Sequence, residues 1–250
     1  MRAVSFIVAL LGMVVAGTIS LLFFIPAAPF IFVPRGTRER YVFWTNSGAS
    51  WLILKLALWV RFDLRGMENI PFGKPYLVVA NHRSWVDVLT LIWAARAEGI
   101  SKLLVFFTPI MGPLGYLGGA VFFHRARPDA RRRAKEEALW LMERGVPLHV
   151  YPEGTRTRTG KLREKVYLGM LEACWERGIP LVPCGLWGTD KVIPVDKAAI
   201  YLGQTVTATF RPPLQPKDYP DAHSYAVAAW EQVKQIVAGY EAEEAGASAD

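Results

Sequence analysis

Leu77-Val78-Val79-Ala80-Asn81-His82-Arg83-Ser84-Trp85-Val86-Asp87 is the stretch whose reading decides the fold. Its four leading apolar residues are too short a run for a helix and fit a strand covered on both faces. Ser84 is a good N-cap, and a helix is expected from there to about residue 98. A strand that releases polar residues and feeds a helix is the repeating unit of an α/β sheet, where ligands bind beyond the carboxyl ends of the strands. His82 and Asp87 stand five apart at that junction. A neutral imidazole can take a proton from an alcohol, and a carboxylate on its other ring nitrogen fixes the tautomer and stabilises the imidazolium. The same residues also read as a helix cap followed by a first-turn acid favoured by the helix dipole. Their spacing alone does not choose between the two.

Two further apolar runs end in polar residues. Val146-Pro147-Leu148-His149-Val150 leads into Tyr151-Pro152-Glu153-Gly154-Thr155-Arg156. Gly154 permits a tight turn close to a ligand, and Thr155 with Arg156 offers a hydroxyl and a guanidinium fork suited to a phosphate. Ala120-Val121-Phe122-Phe123-His124 delivers Arg125 at its end. Glu153 has three readings: orienting another site group, accepting a substrate hydroxyl, or holding the turn through backbone amides. A carboxylate placed beside a phosphate would repel it, which favours the orienting role.

Asn81 to Asp87, Phe122 to Arg125, Tyr151 to Arg156 and the apolar Ile179-Pro180-Leu181-Val182-Pro183, in this order and with these gaps, resemble the glycerolipid acyltransferases. Within them the chain looks most like the bacterial 1-acyl-glycerol-3-phosphate (lysophosphatidate) acyltransferases, over about residues 62–212. Where such enzymes often carry Phe-Lys-x-Gly, this chain reads Arg163-Glu164-Lys165-Val166-Tyr167-Leu168-Gly169. The resemblance implies transfer of a fatty acyl group from acyl-CoA or acyl carrier protein to the 2-hydroxyl of 1-acyl-glycerol 3-phosphate. His82 and Asp87 would be catalytic, and Arg125, Glu153, Gly154, Thr155 and Arg156 would bind substrate. The thioester is a co-substrate, and no cofactor is expected. Another lysolipid, such as a lyso-ornithine lipid, or glycerol 3-phosphate could use the same base. A non-catalytic protein that binds anionic lipid is the alternative from a different class, though binding alone needs no base.

The chain carries a formal net charge of +7 and is 52% hydrophobic. Residues 3–33 hold no charged side chain. Residues 3–25 alone would cross ~30 Å of hydrocarbon at about 1.5 Å per residue. Pro26 and Pro29 then end the helix. A cleavable signal peptide is the competing reading, but the apolar core is long for one and no small-x-small site precedes polar sequence. Arg2 precedes the segment and Arg35, Arg38 and Arg40 follow it. By the positive-inside rule the catalytic region lies on the cytoplasmic side of the inner membrane. Residues 41–60 form a second apolar stretch with Tyr41, Trp44, Trp51 and Trp59, read either as an interfacial helix or as one packed on the core. The basic clusters come without zinc-finger, ribonucleoprotein or helix-turn-helix patterns, so anionic lipid is the expected partner and nucleic acid is not.

The expected organisation is a membrane-anchoring helical segment over 1–61, an acyltransferase domain over 62–240 and a disordered tail over 241–250. Strands are expected at 62–66, 76–80, 102–107, 120–124, 148–151, 181–186 and 205–210. Helices are expected at 84–98, 128–144, 165–177 and 224–240. This alternation predicts an α/β fold with a mostly parallel sheet flanked by helices. No two His or Cys have metal-ligand spacing, so no metal is expected. Cys174 and Cys184 read as buried thiols, and His149 as a satisfied core residue. Ser84 lacks the Gly-x-Ser-x-Gly elbow of a hydrolase nucleophile.

Overall fold

Strand β2 (Leu77–Ala80) lies at the middle of the sheet, and its four side chains are fully buried. Leu77 and Val79 point into a core shared with helices α6 (Pro128–Glu143), α7 (Gly169–Glu176) and α9 (Ala222–Ala247). Val78 and Ala80 point to the opposite face, into the core built with α3 (Trp85–Ala94). The two-residue period of a strand thus divides one unbroken apolar run between two layers. Burying a valine or leucine contributes about 1.5–3 kcal/mol, so a charge at Val79 would break the unit.

The computed structural model describes residues 2–247 apart from 109, 125 and 198. Among the described residues, seven strands form one sheet in the order β1-β7-β6-β2-β5-β3-β4. The others are β1 (Arg61–Arg65), β3 (Glu98–Lys102), β4 (Val121–Phe123), β5 (Leu148–Val150), β6 (Leu181–Trp187) and β7 (Thr205–Phe210). All neighbours run parallel except β6 and β7. The fold is the expected one, a mostly parallel sheet flanked by helices. The register that matters for function is Val79 opposite Val150, which releases Asn81-His82 and Pro152-Glu153 side by side at one end of the sheet.

Four elements depart from their expected bounds. Helix α3 ends at Ala94, where Arg96 adopts a positive φ of 48°, and β3 then occupies Glu98–Lys102 in place of 102–107. Its neighbour β4 ends at Phe123, opposite Lys102. The apolar residues beyond have no backbone to pair with, and they coil into α4 (Leu103–Phe106). Helix α7 starts at Gly169, not 165, because Arg163 N–H is bonded to Glu153 and Tyr167 N–H to the Pro152 carbonyl. Helix α9 continues to Ala247, past the break expected at residue 240. Its alanines and glutamates are good helix formers, and Arg65–Glu243 and Lys191–Glu244 tie that end to the domain.

The front of the chain is a helical hairpin of α1 (Arg2–Ala27) and α2 (Glu39–Leu52). Residues Ile7–Phe32 are long and apolar enough to cross a membrane, with a mean hydropathy of 2.5 over their most apolar window. Ile19 and Ala27 pack with Val42, Ala49 and Ile53 of the second helical stretch, while Leu11, Val14, Leu22 and Ile25 are exposed. Helix α2 is packed on the core along one face. Val42, Asn46 and Ala49 are buried against the core, and Tyr41, Trp44 and Trp51 stand exposed on the other side. Arg35 and Arg38, counted above as flanking charges, lock the turn to the core. Arg35 pairs with Glu137 at 2.6 Å, Arg38 donates to Glu39 at 3.2 Å, and both guanidiniums pack on the Tyr116 ring.

Candidate active site

Where β2 ends, the Asn81 side chain continues its ladder. Its Nδ2 donates to the Leu186 carbonyl at 2.9 Å, and its Oδ1 accepts from Leu186 N–H at 2.7 Å. This rung holds the chain against β6 for one more residue and fixes the direction in which His82 departs.

The imidazole Nδ1 of His82 lies 2.8 Å from Asp87 Oδ2. That oxygen also accepts from the backbone N–H of Arg83 at 2.5 Å and of Ser84 at 2.7 Å. Asp87 is fully buried at the third position of α3, and with Ser84 it completes a capping box. One carboxylate thus caps the helix and also meets the imidazole. Because Nδ1 is engaged, Nε2 is left for a reacting proton, on a side chain that is 16% exposed. Ser84 Oγ donates to the Ile193 carbonyl at 2.8 Å and accepts from Val86 N–H, so its hydroxyl is committed to structure.

The second motif grips His82 by its backbone. Glu153 Oε1 accepts from His82 N–H at 2.8 Å, and Thr157 N–H donates to the His82 carbonyl at 2.9 Å. Glu153 Oε2 accepts from Arg163 N–H at 3.1 Å. The Glu153 carboxyl is buried, which pushes its pKa up against the pull of the two amides. Tyr151 stacks face to face on His82, with ring centroids 3.9 Å apart. His149 sits behind, its Nδ1 2.8 Å from the Ala97 carbonyl, and burial lowers its pKa to about 4.

Gly154 turns with φ +65°, and the chain beyond it carries Thr155 and Arg156. The Arg156 guanidinium lies over the Trp85 ring, 5.2 Å from its centroid, at the start of α3. The site loop is anchored by Arg83, whose Nε and Nη2 bind Asp190 at 3.0 and 3.1 Å and whose Nη1 donates to the Gly160 carbonyl at 2.7 Å. The same guanidinium packs on Trp187, 4.1 Å from its centroid. Arg125 lies outside the described residues. Its strand, β4, is at the far edge of the sheet, separated from β2 by β5 and β3.

The sequence model of the acyltransferase family matches residues 61–187, half of the chain. The chain belongs to the acyltransferase family. The matched segment begins at β1 and ends with β6, so it holds both motifs and the sheet that brings them together. Over 152 residues the chain is 29% identical to the chloroplastic 1-acyl-sn-glycerol-3-phosphate acyltransferase BAT2 of Brassica napus, covering 60% of this chain and 44% of that one. Over 135 residues it is 30% identical to the human 1-acyl-sn-glycerol-3-phosphate acyltransferase alpha, covering 53% and 47%. The chain thus spans less than half the length of these relatives. A crystal structure of the 1-acyl-sn-glycerophosphate (LPA) acyltransferase PlsC from Thermotoga maritima superposes with a TM-score of 0.81. The sequence identity is 25%, over 97% of this chain and 98% of that one.

The candidate site contains three residues whose work was not evident from sequence. Asn81, Arg83 and Tyr151 all lie inside the two motifs, but their tasks depend on partners about 70 to 110 residues away. The one available signal was that each is polar or aromatic directly after an apolar strand.

Proposed function

We propose that this acyltransferase moves a fatty acyl group from a thioester, acyl-CoA or acyl carrier protein, to the 2-hydroxyl of 1-acyl-glycerol 3-phosphate, giving phosphatidate. The observation that carries the reading is the 2.8 Å contact from His82 Nδ1 to Asp87 Oδ2, which leaves Nε2 to take the hydroxyl proton. The oxygen then bonds to the thioester carbonyl carbon, the carbon–sulfur bond breaks, and His82 returns the proton to the departing thiolate. No acyl-enzyme is required, in keeping with a Ser84 hydroxyl that is already bonded at both ends. A positioned general base contributes roughly 10²–10⁴-fold, and orientation of two bound substrates supplies much of the rest for an already activated ester.

Glu153, accepting from the backbone amides of His82 and Arg163, acts as the brace that sets the His82 backbone. Thr155 and Arg156 meet the phosphate, and the family resemblance adds Arg125 to that task. The names of the relatives in Brassica and human, and of the Thermotoga structure, favour this acceptor over other lysolipids. The apolar α1 favours a place on the cytoplasmic membrane, with the catalytic domain held on the cytoplasmic side through Arg35 and Arg38.

The test is purified protein in detergent with lysophosphatidate and either acyl-CoA or acyl carrier protein thioester, beside the His82→Ala variant. Phosphatidate formation that disappears in a folded variant supports the reading. Near-normal turnover by the variant removes it, and acyl release without acceptor points to a thioesterase.

A further inference from the structure

Directly beyond β3 the chain places four large apolar side chains in water. Leu104 is 78% exposed, Phe107 67%, and Leu103 and Met111 38% each. Single exposed hydrophobics are ordinary, but a cluster rimmed by charge marks an interaction surface. This cluster sits on α4, the turn after it and the first residue of the next helix, beyond the carboxyl end of β3. Since β3, β5 and β2 run parallel, it occupies the same end of the sheet as His82.

Two features of its surroundings identify what covers it. The first is charge. Lys102 is opposite Phe123, so the chain leaving β4 toward α6 emerges beside α4. Lys102, at the end of β3, and Arg127, Arg131 and Arg132, on the segment that follows β4, are all exposed. The second is continuity. Met111 begins α5 (Met111–Gly118), which packs against α1 and α2, and it shares a small cleft with Ser20 of α1. Helix α5 thus links the apolar cluster to the hairpin that carries α1. A second copy of this chain, itself carrying net charge +7, would set like charges against one another.

We propose that α4 and Phe107 form a second insertion point into the lipid surface, beside the mouth of the active site, with Lys102, Arg127, Arg131 and Arg132 meeting anionic headgroups. The inference rests on the membrane placement of the preceding section and adds an orientation to it. With α1 as one point of attachment and α4 as another, the carboxyl end of the sheet is held against the bilayer. A lysolipid then reaches His82 by lateral movement and does not have to enter water.

The test uses the full chain with a single environment-sensitive label at Leu104→Cys, at Phe107→Cys, or at Gln235→Cys. Gln235 is exposed near Arg211, at the opposite end of the sheet, and the native Cys174 and Cys184 are fully buried. The protein is reconstituted into vesicles of phosphatidylcholine and phosphatidylglycerol, with or without brominated acyl chains. Quenching at 104 and 107 at least about twice that at 235 is the expected result, since bromine quenches on contact within the hydrocarbon. Quenching no greater than at 235 overturns the proposal, including the case where a second copy shields the patch. The measurement does not depend on turnover. Quenching without acyl transfer supports the insertion point and overturns the functional reading, and turnover without quenching does the reverse. A Leu104→Ser/Phe107→Ser variant should lose about tenfold in activity on vesicle-embedded acceptor and keep its activity on a short-chain monomeric one. Equal loss on both would also overturn the proposal.

Discussion

The Tyr151 ring lies flat on the His82 imidazole, with centroids 3.9 Å apart and planes 7° from parallel. The stack keeps the imidazole in the plane that reaches Asp87, and its π face would favour the imidazolium of the proposed mechanism. Such contacts are worth about 0.5–2 kcal/mol. The Tyr151 hydroxyl, by contrast, is buried with no hydrogen-bond partner among the described residues. Tyr151→Phe should therefore keep full activity and melt no lower than the parent, because it removes a polar group without a bond. Tyr151→Leu should lower kcat about tenfold with little change in acceptor KM. Equal losses in both variants would mean that the hydroxyl, and not the ring face, is what counts.

Asp87 offers a sharper separation of fold from chemistry. Its Oδ2 accepts from two backbone amides as well as facing His82. Asp87→Asn can place its carbonyl oxygen at the same point and keep all three contacts, so the capping of α3 survives. What disappears is the negative charge that stabilises the imidazolium. The expected loss is roughly 10²–10⁴-fold in kcat, with circular dichroism and melting temperature close to the parent. A variant that unfolds would assign Asp87 chiefly to the cap.

Glu98 links pH to the seating of the hairpin on the domain. Its carboxyl is buried where α2 meets β3, accepting from Asn46 Nδ2 at 2.6 Å, with Glu39 adding repulsion. Burial raises its pKa from 4.5 to about 8. Between those values the folded chain keeps a proton that the unfolded chain has lost. This group's contribution is thus most favourable in acid and declines as pH rises toward 8, by up to about 3 kcal/mol at pH 7. Glu98→Gln, which cannot ionise, should gain in melting temperature relative to the parent steadily from pH 5 to pH 8. A constant difference across that range would show that Glu98 does not carry the proton.

How far the sequence alone reached can be judged from β2 and β3. The run 77–80 was legible because a strand buried on both faces must be apolar throughout, and Ser84 and Asp87 are strong helix-start signals. The run 103–106 is equally apolar, yet it is helical, because its fate depends on whether β4 extends far enough to pair with it. The contact between His82 and Glu153 was hidden for a similar reason. Only the register of Val79 on Val150 brings the two motifs together, and register is a property of the assembled sheet. Arg83 shows the same limit. It is a cation next to a catalytic candidate, and nothing local distinguishes a ligand-binding arginine from one consumed by Asp190.

That difference between arginines sets the last prediction. Arg83 is 5% exposed and its fork is occupied by Asp190. Arg156 makes no ion pair among the described residues; it rests on the face of Trp85, part-exposed, on the loop that also carries Thr155. A guanidinium steered by an aromatic face but not neutralised by a carboxylate can offer its fork to a phosphate monoester. Losing a charge-assisted bond of that kind costs about 1.5–3 kcal/mol. Arg156→Ala should accordingly raise the acceptor KM roughly ten- to a hundredfold and leave the thioester KM nearly unchanged. Arg156→Lys should recover part of the loss, since it restores the charge but not the planar fork. With a lysolipid that lacks a phosphate, the gap between parent and Arg156→Ala should close. If Arg156→Ala weakens the donor alone, the phosphate sits elsewhere, and lysophosphatidate loses its main chemical support as the acceptor.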